Sequence, residues 1–146
     1  MNSCPSSPSI LLVDDNRDGL LVRRSLLEEL GYRVQIALNA EDGLSLFETG
    51  KFDVIVTDFR MPRMNGRELI QRIRKLDPNA RVILLSGFVE PLGLTEQNTG
   101  ADSVIHKSAN EPAQLLRSVK RLVNRGVRKP PRSQRNPPPR VNAAIS

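Results

Sequence analysis

Four apolar runs punctuate the chain, and each ends on a residue with chemistry to offer. Ile10-Leu11-Leu12-Val13 runs into Asp14 and Asp15, Phe52-Asp53-Val54-Ile55-Val56-Thr57 into Asp58, Arg81-Val82-Ile83-Leu84-Leu85 into Ser86 and Gly87, and Ser103-Val104-Ile105-His106 into Lys107. Short continuous runs rich in β-branched residues predict strands buried on both faces. Arg33 to Ala37 reads as one further strand, the second in chain order. Between strands the period lengthens to that of a helix. Asn16 or Asp18 caps a first helix with Val22, Leu26, Leu27 and Leu30 on one face, and Gly31 stops it. Asn39 caps a second, in which Ala40, Gly43, Leu44 and Phe47 recur at i, i+3, i+4 and i+7, and Gly50 ends it. Asn65 or Gly66 opens a third with Leu69, Ile70, Ile73 and Leu76 inward; its Arg67, Arg72, Arg74 and Lys75 read as a solvated face, and Pro78 closes it. From Phe88 to Gly100 the pattern deteriorates around Pro91 and Gly93, so a short or distorted fourth helix is expected. The last helix follows Asn110, with Pro112 in its first turn and a stripe of Leu115, Leu116, Val119, Leu122 and Val123.

Five strand–helix units in alternation imply a parallel sheet with helices on both faces. The carboxyl ends of parallel strands share one edge, so Asp14, Asp15 and Asp58 meet there. Left unpaired, three carboxylates repel and raise one another's pKa; a divalent cation with oxygen ligands, Mg2+ above all, resolves the conflict. Ser86 and Lys107 reach the same edge. Carboxylates, a hydroxyl and an ammonium form a set suited to a phosphoryl group. Asp58 is the acceptor, the metal and Lys107 neutralise equatorial oxygens, and Ser86 donates a hydrogen bond.

Paired Asp14-Asp15, Asp58 with Met61, Pro62 and Gly66 behind it, Ser86-Gly87 and Lys107, each at its own strand end, resemble the receiver domains of two-component response regulators from about Ile10 to Asn124. The resemblance implies a flavodoxin-like α/β three-layer sandwich, a (βα)5 fold with parallel strand order 2-1-3-4-5. It implies that Asp58 takes a phosphoryl group from a sensor histidine kinase or a histidine phosphotransfer protein. Mg2+ would be held by Asp15, Asp58 and the Arg60 backbone carbonyl, with Asp14 helping through water. Catalysis on a separate substrate is not implied: the chain is a regulator with self-catalysed phosphotransfer. No effector domain follows, so a stand-alone receiver is expected, read out by an unidentified downstream protein or by onward transfer in a phosphorelay.

Some positions depart from the family pattern. Val104 stands three residues before Lys107, where the family commonly has an aromatic ring that changes rotamer on phosphorylation, so that half of the usual switch is missing. Ser108 replaces the proline that commonly follows the lysine. Arg60 and Phe88, two residues beyond Asp58 and Ser86, flank the path of water to an acyl phosphate, and their bulk implies slow self-dephosphorylation. His106, the only histidine, reads as an ordinary strand residue.

Composition changes this picture mainly at the ends. With 146 residues, 38% of them hydrophobic, one core is expected. Residues 1–9, rich in Ser and Pro, read as a disordered segment, and Cys4 has no partner for a disulfide. A reducing, cytoplasmic setting is expected, with no membrane span. The net charge of +6 equals the six cations Arg125, Arg128, Lys129, Arg132, Arg135 and Arg140, which meet no acid, so the body is neutral and residues 125–146 form a basic, Pro-rich tail expected to be disordered. The tail supports a rival function, an adaptor for nucleic acid or an anionic surface, although without interleaved aromatics it offers only non-specific electrostatics. A third reading, a Mg2+-dependent phosphatase acting on a small substrate, lacks pocket residues and wants a general acid where Arg60 stands. Truncation after Asn124 is expected to remove a salt-sensitive affinity for polyanions and to leave phosphorylation intact, as read by DNA binding at rising salt. Sequence-selective binding that survives high salt would favour the adaptor instead.

Overall fold

The computed structural model describes residues 7–87, 94–108 and 110–128, with side chains as far as Asn124. Strands β1 (Ser9–Val13), β2 (Arg33–Ala37), β3 (Val54–Asp58), β4 (Val82–Ser86) and β5 (Ser103–His106) alternate with helices α1 (Arg17–Glu29), α2 (Ala40–Thr49), α3 (Gly66–Leu76), α4 (Glu96–Thr99) and α5 (Glu111–Arg128). All strand pairs are parallel, in the order β2-β1-β3-β4-β5. The expected flavodoxin-like topology is the one observed.

Alternation along the strands sorts the core into two halves. Leu11, Val13, Ile55 and Leu84 meet Ala40 of α2 and Leu69, Ile70 and Ile73 of α3 on one face. Ile10, Leu12, Val56 and Leu85 meet Leu20 and Leu27 of α1 and Leu115, Val119 and Leu122 of α5 on the other. Both faces of β3 and β4 are therefore covered, which explains their unbroken apolar composition. Caps follow the chemistry of the sequence: Asn16, Asn39 and Asn65 accept backbone N–H groups of Gly19, Asp42 and Glu68, and Glu68 returns a bond to the Asn65 N–H in a capping box.

Several expectations need correction. Val22 and Leu30 are 59% and 57% exposed; the inward stripe of α1 is centred on Leu20 and Leu27, which pack with Ile10, Leu12 and Val56 of the sheet. Leu76, expected inward, is 51% exposed as the last residue of α3, where the helix ends and the chain turns away toward Pro78. Arg74 is not a solvated cation. Its guanidinium donates to the carbonyls of Gly100, Pro78 and Ala80 and to Asp102 Oδ2, which also accepts the Val82 N–H at 2.8 Å, so Arg74 ties the end of α3 to the starts of β4 and β5. Ser9, placed in the disordered start, is the first residue of β1. Its N–H donates to Asp53 Oδ2 at 2.7 Å, its Oγ accepts from Arg33 at 3.0 Å, and Pro8 O accepts the Arg33 N–H. Residues 1–6 and Phe88 lie outside the described residues. α5 continues to Arg128, so truncation after Arg128 rather than Asn124 leaves that helix whole.

At the edge strand β5, the Val104 N–H donates to Glu96 Oε2 of α4 at 3.0 Å. The single turn of α4 matches the short fourth helix expected.

Gly66 sits where the loop after β3 folds back on itself, its N–H bonded to Phe59 O. A Cβ there would lie 2.5 Å from Asp58 O, 2.8 Å from a Leu84 methyl and 3.0 Å from Phe59 Cα. The backbone of Asp58 and Phe59 cannot give way cheaply. Gly66→Ala is expected to lower stability by about 1–3 kcal/mol, as overpacking does, read from the urea midpoint; an unchanged midpoint would show that the loop relaxes freely.

Candidate functional site

Register brings the acids together. Val13 lies opposite Thr57 in the β1–β3 ladder, so the next residue of each strand, Asp14 and Asp58, emerges at the same carboxyl edge. Asp15 follows at the start of the loop into α1. Asp14 and Asp58 are 2% and 5% exposed, whereas Asp15 is exposed, and one oxygen of each lies within 4.8 Å of the others. These are hard oxygen donors on adjacent strand ends, a set that fits a hard dication. They line a cleft of about 680 Å³ with Asn16, Phe59, Arg60, Met61, Asn65 and Lys107.

Lys107 arrives from the end of β5, its backbone N–H held by Ser86 O at 2.8 Å. Its Nζ lies 2.5 Å from Asp58 Oδ1. Burial raises the Asp58 carboxyl above its usual range; the hydrogen bond from Lys107 opposes the rise, and the charge of Asp14 adds to it. Ser86 is buried at the end of β4, and its Oγ donates to Gly87 O at 3.3 Å. The expected residues Asp14, Asp15, Asp58, Arg60 and Lys107 thus share one cleft, with Ser86 at the neighbouring strand end. Val104 lies lower on β5, half-buried against the cluster that includes Leu84 and Met64.

Sequence reading missed two members of the surroundings. Arg23 of α1 donates Nη1 to Asp14 Oδ2 at 3.1 Å and grips both oxygens of Glu111, in the first turn of α5, through Nε and Nη2 at 3.2 and 3.1 Å. Burial works against the Arg23 charge, but the hydrogen bonds and charges of Glu111 and Asp14 prevail and raise its pKa, so it stays a cation. The local signal was the spacing of Leu20, Arg23 and Leu27 at i, i+3 and i+7, which puts Arg23 on the buried stripe. Asp14 Oδ1 also accepts the Asn16 N–H at 3.0 Å.

Comparison with known proteins adds a family to this geometry. The profile of the response regulator receiver domain matches residues 10–120. A response regulator receiver protein of Anaeromyxobacter sp. strain Fw109-5 is 39% identical over 79 residues, 54% of this chain and 33% of the relative. The aerobic respiration control sensor protein ArcB of Escherichia coli K12 is 30% identical over 108 residues, 72% of this chain and 14% of the relative. The chain thus spans a third or less of these curated relatives. The response regulator TrrA of Thermotoga maritima, crystallised with Mg2+ and BeF, superposes with a TM-score of 0.71 at 33% identity, covering 79% of this chain and 98% of that one. The structure of histidine kinase ThkA in complex with TrrA gives 0.70 at 32%, covering 79% and 97%. Among the described residues no helix is long and apolar enough to cross a membrane.

The raised Asp58 pKa has a consequence for stability. The folded state binds this proton more tightly than the unfolded chain does. Asp58 therefore contributes stability that is present below its unfolded pKa and is lost as pH rises through the folded one. With chelator present, Asp58→Asn is expected to melt higher than the parent at neutral pH, and the gain should shrink as pH falls into the carboxylate range. A difference in melting temperature that is the same at both pH values would contradict this.

Proposed function

The chain belongs to the response regulator receiver domain family, and from that premise we propose that it accepts a phosphoryl group on Asp58 from a phosphohistidine of a partner protein. The observation that carries the proposal is the buried Asp58 carboxylate at the end of β3, with the Lys107 ammonium on one oxygen and two further carboxylates beside it. An Asp58 oxygen forms the new P–O bond as the P–N bond breaks, and its electron pair returns to the imidazole nitrogen. Lys107, already on Oδ1, opposes the effect of burial on the Asp58 carboxyl and stands ready to pair with a phosphoryl oxygen. Ser86 needs only a rotation of its hydroxyl away from Gly87 O to donate to another. Asp15 and Asp58, with the Arg60 carbonyl, are the ligands proposed for Mg2+, and Asp14, paired with Arg23, would help through water. Bound there, the metal would neutralise charge that develops on the transferring group.

The donor is a histidine kinase or a histidine phosphotransfer protein. The complex of ThkA with TrrA supports a kinase as a direct partner, since TrrA is similar to this chain throughout its length. A signal then consists of a shift between two conformations of the face built from α4, β5 and α5. Val104 brings no ring to that shift, so the other contacts of the phosphorylated site must carry it.

Incubation with acetyl phosphate and Mg2+ is expected to add one phosphoryl group, detected as an intact-mass increase that hydroxylamine removes. Asp58→Asn should abolish the adduct and Lys107→Ala should slow its formation at least tenfold, in keeping with loss of a preorganised cation. The same adduct on the Asn variant would place the acceptor elsewhere.

A further inference from the structure

Arg23 is only 11% exposed, on the stripe of α1 that otherwise buries Leu20 and Leu27. Packing of α1 on the sheet asks for an apolar residue there, not a cation. Space is cleared for the guanidinium: a Cβ on Gly19 would lie 3.1 Å from Arg23 Nη1. Three of the five guanidinium N–H donors are engaged by carboxylates, two on Glu111 and one on Asp14, and Glu111 is itself buried. The fork matches Glu111 in the bidentate geometry that favours arginine over lysine. Asp14 takes the remaining arm on Oδ2 and the Asn16 N–H on Oδ1, so it faces the acidic cluster with a donor on each oxygen.

We propose that Arg23 is a positioning residue that sets the affinity of the acidic cleft for a divalent cation, by pairing with Asp14 and cancelling much of its charge. The proposal rests on the reading of Asp14, Asp15 and Asp58 as a cation site. A full positive charge 3.1 Å from Asp14 offsets most of the attraction that this carboxylate exerts on a dication a few ångströms farther away. The cleft then works with about two effective carboxylates rather than three, the number that Mg2+ commonly takes from protein.

Two substitutions that break the same ion network are expected to move affinity in opposite directions. Arg23→Met keeps an unbranched side chain and releases Asp14. Glu111→Gln removes a negative charge near the cleft and leaves Arg23 to Asp14 alone. A network that only held α1 to α5 would weaken the site in both variants. The experiment is calorimetric titration of the full chain with Mg2+ alone, without phosphodonor, with far-UV circular dichroism to check the fold. Arg23→Met should bind Mg2+ on the order of tenfold more tightly than the parent, and Glu111→Gln a few-fold more weakly, by Coulomb's law at an effective dielectric near 20. Unchanged or weaker binding by folded Arg23→Met overturns the proposal. So does unchanged or tighter binding by Glu111→Gln, which decides alone if the first variant does not fold. A parent chain that takes up no Mg2+ overturns the cation site together with this proposal, whereas a binding parent with unmoved variants overturns the role of Arg23 only.

Discussion

Two buried carboxylates on neighbouring strands are the constraint from which the rest of this structure follows. Asp14 and Asp58 leave adjacent strands at the same edge, and in a medium less polar than water their repulsion and desolvation oppose folding. The fold answers each with a cation drawn from far along the chain. Lys107 comes to Asp58 from β5, and Arg23 comes to Asp14 from α1 and is itself secured by α5. The burial that makes Asp58 awkward also strengthens its bond to Lys107, because water competes poorly for donors in such a site. The packing of both helices on that side of the sheet therefore serves the cleft as well as the core.

What could be read from the sequence was whatever is encoded locally. A continuous apolar run ending on Asp58, and another ending on Lys107, place their last residues at one edge as soon as the sheet is parallel. The three asparagine caps are legible for the same reason, since a cap and its helix are neighbours in the chain. Arg23 and Glu111 are 88 residues apart, and no spacing in the sequence connects them. Arg74 and Asp102 meet across 28 residues and were invisible for the same reason, so an arginine that closes one end of the sheet passed for a solvated one. The face of α1 failed differently. Val22, Leu26 and Leu30 form a plausible stripe by period alone, but a helix that is apolar around more than half its circumference leaves the choice to tertiary packing, which selected Leu20 and Leu27.

Val104 shows how a departure from a family pattern can leave the fold untouched. Its side chain is half-buried and packs against the apolar cluster that includes Leu69 and Ile70 of α3. The site itself keeps its carboxylates, hydroxyl and ammonium. Ser86 and Lys107 are joined through the backbone, Lys107 N–H to Ser86 O at 2.8 Å, which continues the β4–β5 ladder to the cleft.

The bond from the Val104 N–H to Glu96 bears on a different property, the way the sheet comes to an end. β5 is an outer strand, and an outer strand with free amides invites another chain to continue the ladder. Here a carboxylate from the preceding turn occupies the amide in the middle of that strand. A newcomer would have to expel Glu96 and bring its own backbone carbonyl up against a negative charge. The short helix that precedes β5 thus acts as a selvedge, finishing the border of the sheet so that it does not unravel into aggregation.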